Sequence, residues 1–184
     1  MRTPPAHKTA PALEALLEEG ALAGNWVLDS RNSTIGLRTK AMWGTTRVNG
    51  VFREVSGSGT VSPTGEVSGT LTVAAASIDT KVSKRDAHLR SDDFFASDSY
   101  PDIIFAVDAI RASGQGVAVT GELTVRGRTR ALSFESGVSV LADGEIWLDA
   151  DVQINRADFG LTWNLMGSMS KHNTLTIHLV FSKA

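Results

Sequence analysis

Hydrophobic and polar residues alternate in run after run between residue 26 and the end of the chain. In residues 67–75, for example, Val67, Leu71 and Val73 fall on one side of the alternation and Ser68 on the other. Because successive side chains of a β-strand point to opposite faces, this pattern predicts strands with one buried and one exposed face. The chain is therefore expected to be all-β from residue 26 onward.

About eight runs of this kind are separated by turn signals rich in glycine, proline and serine. They cover residues 34–40, 47–52, 67–75, 103–110, 117–125, 132–140, 146–154 and 175–181. We interpret Gly57 and Gly59 as further turn glycines. Short links join antiparallel neighbours, and eight such strands can close into a barrel that holds one small ligand. The pattern favours an antiparallel barrel, although a sandwich would also satisfy it.

An N-terminal arm, residues 1–25, precedes the predicted barrel domain of residues 26–184. Leu13, Leu16 and Leu17 follow the i, i+3, i+4 spacing of a short amphipathic helix. This helix is expected to pack on the outside of the domain or to cap one end of it.

The segment Ser77–Phe105 interrupts the alternation and places a cluster of charges beside three phenylalanines. Residues 82–93 are predicted to contain a short helix, in which Asp86 and Arg90 are spaced to form an ion pair. A charged rim next to an apolar block suggests an amphiphilic ligand, and a helix inserted into a barrel commonly covers a pocket mouth.

Composition excludes several other functions. The chain has 20 acidic and 18 basic residues and no cysteine, so neither a nucleic-acid partner nor a thiolate metal site is expected. The four histidines are scattered and no nucleophile motif is present, so we expect neither a metal centre nor catalysis. No secretory signal is recognised and no apolar run reaches the length of a membrane span, so we expect a cytoplasmic protein without stable membrane insertion.

Seven motifs stand in the order and spacing of a known family. They are Trp26-x-Leu28-Asp29, Gly50-x-Phe52, SIDT (Ser77–Thr80), RDAHLRSDDFF (Arg85–Phe95), YPDIIF (Tyr100–Phe105), GELTVRGRTR (Gly121–Arg130) and NRADFGLTW (Asn155–Trp163). Together they make the chain resemble the YceI-like family from about residue 26 to residue 181. The resemblance implies a lipocalin-like, extended antiparallel β-barrel whose apolar tunnel binds a polyisoprenoid or similar long-chain lipid.

Candidate ligand residues follow from this expected tunnel. The predicted lining is apolar and mostly aromatic: Leu37, Phe52, Leu71, Phe94, Phe95, Phe105, Phe134, Phe159 and Trp163. The predicted head-group or mouth residues are hydrogen-bond donors: Lys40, Arg85, His88 and Arg90. The expected partner is a long-chain isoprenoid lipid, with a polyisoprenoid or quinone-like lipid as the bound ligand and no other cofactor. A homodimer is left open.

Two features keep alternatives open. The family usually carries histidines where this chain has Asn32 and Lys40, so no role of those histidines is transferred. Arg85, His88 and Arg90 could equally fix the helix to the barrel rim. The alternative function is a non-catalytic interaction or stress-response module whose barrel has a filled core.

Overall fold

The computed structural model describes residues 8, 10–114 and 116–184, which form two α-helices and eleven strand segments. The helices are α1 (Ala10–Glu18) and α2 (Ser83–Arg90). The strands are β1 (Gly24–Leu28), β2 (Thr34–Ala41), β3 (Thr46–Phe52), β4 (Val55–Val61), β5 (Val67–Ala74), β6 (Ile78–Asp79), β7 (Asp102–Ser113), β8 (Gly116–Val125), β9 (Arg128–Val140), β10 (Ile146–Asn155) and β11 (His172–Lys183). Neither helix is long and apolar enough to cross a membrane.

The sheet closes on itself, which decides between the two architectures that the alternation allows. Eight antiparallel strands follow one another in the order β1-β4-β5-β7-β8-β9-β10-β11, and β1 pairs with β11 to complete the ring. β2 and β3 extend β1 and β4 past short bends, and β6 extends β5. The prediction of an all-β antiparallel barrel is confirmed, and closure leaves the barrel no free edge along these strands.

β4 corrects one interpretation of the sequence. Gly57 and Gly59 lie inside this strand rather than in a turn. They occupy the positions that alternate with exposed residues, so the missing side chains conceal the twofold pattern. A Cβ atom on Gly69 of the adjacent β5 would lie 2.8 Å from the carbonyl oxygen of Ser58, which explains why these strands need glycine where they approach closely.

α1 covers one end of the barrel, which we call the α1 end. Leu13 is only 2% exposed and belongs to the same apolar core as the inward faces of the strands. Leu17 packs with Trp26 and Val61 at this end. α1 therefore caps the barrel, which is one of the two positions expected for this helix.

α2 and the segment 156–171 lie at the opposite end, which we call the α2 end. The Asp86 carboxylate is 8% exposed and accepts hydrogen bonds from the backbone N–H and the hydroxyl of Thr80. Arg90 Nη2 donates to the carbonyl oxygen of Ile78 at 3.0 Å. The predicted Asp86–Arg90 ion pair is therefore wrong, because each side chain uses the chain just before α2 as its partner.

Candidate ligand cavity

The inward faces of the strands surround a cavity of about 260 Å³. Seven of the nine residues predicted to line a tunnel are at its wall: Leu37, Phe52, Leu71, Phe95, Phe105, Phe134 and Phe159. The cavity extends from Leu13 and Trp26 at the α1 end to Phe159 and Leu161 at the α2 end. Its wall is almost wholly apolar, so it offers a place for a hydrocarbon chain and few groups that would favour water.

Phe94 and Trp163 do not line this cavity, so their expected position in the tunnel wall is corrected. They pack with His88 at the α2 end, where the His88 and Trp163 ring centroids are 4.4 Å apart and those of Phe94 and Trp163 are 5.4 Å apart. Phe95, which directly follows Phe94 in the sequence, packs instead against Phe52 in the interior. Trp163 also borders a separate polar cleft, together with Arg126. The aromatic cluster joins α2 to the segment before β11.

The predicted head-group residues also lie away from the cavity wall. Arg85 donates from Nε to the Thr80 hydroxyl at 2.8 Å and from Nη2 to the Thr80 carbonyl oxygen at 2.9 Å. Arg90 reaches the carbonyl of Ile78, as described above, and His88 Nε2 lies 2.9 Å from Asp93 Oδ2. Each of these three side chains therefore has a local partner in the α2 region.

Lys40 and Asn32, where the resemblance led us to expect histidines, are both exposed. Asn32 donates from Nδ2 to the Asp29 carboxylate at 2.7 Å. The Lys40 carbonyl accepts a hydrogen bond from the backbone N–H of Ser170, which ties β2 to the segment before β11. Neither residue borders the cavity, so the structure does not support the predicted contact between Lys40 and a ligand head group.

Arg156 is a cavity residue that the sequence analysis did not select. It begins a short 3-10 helix, Arg156–Phe159, directly after β10 and is only 4% exposed. Its Nε donates to the carbonyl of Ser170 at 2.9 Å, and its Nη1 donates to the carbonyls of Leu161 and Trp163. Burial lowers the pKa of the Arg156 guanidinium below its usual range.

Asn173 and Thr39 place two further polar groups on the inward face at the α2 end. Asn173 lines the cavity, and β11 continues from it with Leu175 on the same face. Leu175 pairs with Leu37 of β2, so strand alternation puts Thr39 on the inward side near Asn173. Asn173 Oδ1 and Thr39 Oγ1 are buried and have no hydrogen-bond partner within the described residues.

A charged network lies outside the barrel, around β6. Asp79 accepts from Lys81 Nζ at 2.9 Å and from Arg53 Nη2 at 2.8 Å. These two cations hold the pKa of the Asp79 carboxyl well below its usual range. The network links β3 to the start of the α2 region and has no contact with the cavity wall.

Two of the three histidines of the described residues, His88 and His178, have local side-chain partners. His88 lies beside Asp93, and His178 Nδ1 lies 2.6 Å from Asp149 Oδ1 between β11 and β10. No group of three or more His, Asp or Glu side chains that could hold a metal ion occurs in the part of the chain that the structure describes. His7 lies outside the described residues.

Comparison with known proteins identifies the same barrel elsewhere. The UPF0312 protein plu2095 of Photorhabdus laumondii is 34% identical over 126 residues, which cover 66% of this chain and 65% of that protein. The crystal structure of Burkholderia cenocepacia BcnA superposes with a TM-score of 0.76 at 22% identity, over 83% of this chain and 98% of that one.

A polyisoprenoid binding domain from Saccharophagus degradans superposes with a TM-score of 0.69 at 17% identity, over 86% of this chain and 98% of that one. At these identities, the two solved structures establish a shared fold. The family model of the YceI-like domain matches residues 26–181, which span the barrel from β1 to β11. The chain therefore belongs to the YceI-like family.

Proposed function

We propose that this protein binds a polyisoprenoid or a similar long-chain amphiphilic lipid inside the barrel, as a carrier or store without catalytic activity. The apolar cavity between α1 and α2 is the observation that carries this function. Family membership supports it, as does the polyisoprenoid binding described for the structural neighbour from Saccharophagus degradans.

The energetics of such binding come from the chain of the ligand. Each CH₂ group that leaves water for an apolar site contributes about 0.8 kcal/mol. A wall built from Leu, Ile, Val and Phe side chains makes few directional contacts, so it accepts chains of different length and branching. Affinity for the tail is therefore expected to rise with chain length until the cavity is filled.

A filled core would instead suit the interaction or stress-response module that the sequence also allowed. A cavity of about 260 Å³ favours the container, since protein interiors are normally packed with few voids larger than a water molecule. We propose in addition that the protein is cytoplasmic and that it forms a homodimer. Light scattering of the purified protein tests the dimer.

Isothermal titration of delipidated protein with farnesol and geranylgeraniol tests lipid binding directly. Leu71→Trp places a large side chain in the cavity wall and is expected to reduce binding of both alcohols at least tenfold. Val27→Trp adds the same indole at an exposed position outside the barrel and should bind like the wild type. Wild-type protein that takes up neither alcohol, or unchanged binding by Leu71→Trp, would refute the proposal.

A further inference from the structure

The cavity is chemically unequal along its length, because Arg156 and Asn173 line its α2 end and the half-buried Thr39 lies on the same inward strand face beside Asn173. We call these three residues the polar end cluster. Ser136 also borders the cavity, but its hydroxyl is bonded to the carbonyls of Gly137 and Asp149. The polar end cluster differs from Ser136 in retaining hydrogen-bonding groups without partners.

Arg156 supplies a buried positive charge. Three carbonyl oxygens occupy its Nε and Nη1, and Nη2 has no hydrogen bond within residues 8, 10–114 and 116–184. No carboxylate of these residues forms a salt bridge with it. A buried charge is costly unless an opposite charge accompanies it, and a guanidinium is well suited to carboxylate and phosphate oxygens. A ligand with an anionic end would provide the missing counter-charge.

Asn173 and Thr39 add neutral groups to this charge. Buried polar atoms are nearly always hydrogen-bonded, so two unpartnered oxygens on one inward face point to a ligand group. A threonine hydroxyl both donates and accepts, and an asparagine amide presents N–H₂ after a flip of its side chain. Both residues are thus able to donate to an oxygen that Arg156 attracts.

We infer that the polar end cluster receives the anionic oxygen group, a carboxylate or a phosphate, of the long-chain ligand. The ligand then lies with its head inside the α2 end and its tail toward α1. This inference rests on the proposed lipid-binding function and adds to it the charge and orientation of the ligand. It also moves the head-group site from the rim residues Lys40, Arg85, His88 and Arg90 to the interior.

A matched set of ligands separates the two proposals. Farnesol, farnesoic acid and farnesyl phosphate carry the same chain and differ only in the head. By titration at pH 8, wild-type protein is expected to bind at least one of the two anions ten or more times more tightly than farnesol. Binding of all three with equal affinity would overturn the anionic head while leaving lipid binding intact, whereas binding of none would overturn lipid binding itself.

Variants locate the preference within the fold. Arg156→Met is expected to abolish the preference for the anion over farnesol, while Arg156→Lys retains part of it. Arg85→Met removes a guanidinium outside the cavity and should keep the full preference. Loss of the preference in Arg85→Met, or its survival in Arg156→Met, would overturn the proposal.

A structural role of Arg156 in holding residues 161–170 requires a second test. The double variant Thr39→Val, Asn173→Leu removes the unpartnered oxygens and leaves the three carbonyl contacts of Arg156 in place. We expect it to fold and to lose at least threefold of the preference for the anion over farnesol. An unchanged preference in the folded double variant would show that these side chains do not contact the head.

Discussion

The two ends of the cavity are closed by different chemistry. At the α1 end, Leu13 packs into the main apolar core and Leu17 packs with Trp26, whose indole N–H donates to the carbonyl of Leu22. At the α2 end, Arg156 and Asn173 bring charge and an unpartnered oxygen to the cavity wall. The α1 end is complete without a ligand, whereas the α2 end has groups that a ligand would satisfy. The two ends of the cavity are therefore chemically different, which favours one orientation of a ligand that has a single polar end.

Removal of apolar volume at the α1 end is expected to have the largest effect on stability. Leu13→Ala deletes a fully buried side chain and should lower the free energy of unfolding by about 2–5 kcal/mol, as large-to-small core changes do. Urea unfolding of delipidated protein measures this change. Glu14→Ala alters an exposed neighbour on α1 and should cost less than about 0.5 kcal/mol. Equal stability of the two variants would mean that α1 does not seal the barrel in solution.

The apolar part of this architecture was predictable because strand geometry determines which face a residue occupies. Phe52, Leu71 and Phe105 lie in alternating runs. Once one residue of such a run is known to face inward, the residues two positions before and after it face inward too. Phe94 and Trp163 follow α2 and the 3-10 helix, where no such period applies. Both side chains pack at the α2 end. Their aromatic character predicted that they would be packed, but it did not predict which residues they would contact.

The polar end cluster was not predictable in the same way. Arg156 lies within the family motif at Asn155–Trp163. Asn173 lies two residues before Leu175 in β11, and strand alternation therefore puts both on the inward face. A sequence does not reveal that an arginine is surrounded by carbonyls instead of water, or that an asparagine oxygen lacks a partner. Both properties depend on the segment 156–171 folding back over the end of β10 and β11.

A substitution at the α2 end is expected to change stability in the opposite direction from Leu13→Ala. Asn173→Leu removes a buried oxygen without a partner and adds apolar surface facing the cavity, so it should raise the free energy of unfolding by about 1 kcal/mol. Urea unfolding of delipidated protein again provides the measurement. Thr174→Val, on the outward face of β11, should give no such gain. Destabilisation by Asn173→Leu would indicate that the native amide is hydrogen-bonded and that the two ends are more alike than described.

Acidification provides the smallest and most specific contrast, because ion pairs support the α2 region and not the apolar seal at α1. Lys81 and Arg53 lower the pKa of Asp79 in the folded protein, so the ionised carboxylate stabilises the fold above its unfolded pKa of about 3.9. That contribution is lost as the pH falls below this value toward the lower pKa of the folded state.

Asp79→Asn removes the contribution at every pH. The difference in urea midpoint between wild type and Asp79→Asn should therefore be full at pH 7 and shrink as the pH is lowered through 4. Asp108→Asn, at an exposed position in β7, is the matched control and should show a smaller difference at pH 7. A gap between wild type and Asp79→Asn that stays constant from pH 7 to pH 3 would mean that the Asp79 ion pairs do not stabilise the α2 end, and the contrast between the ends would then rest on Arg156, Asn173 and Thr39 alone.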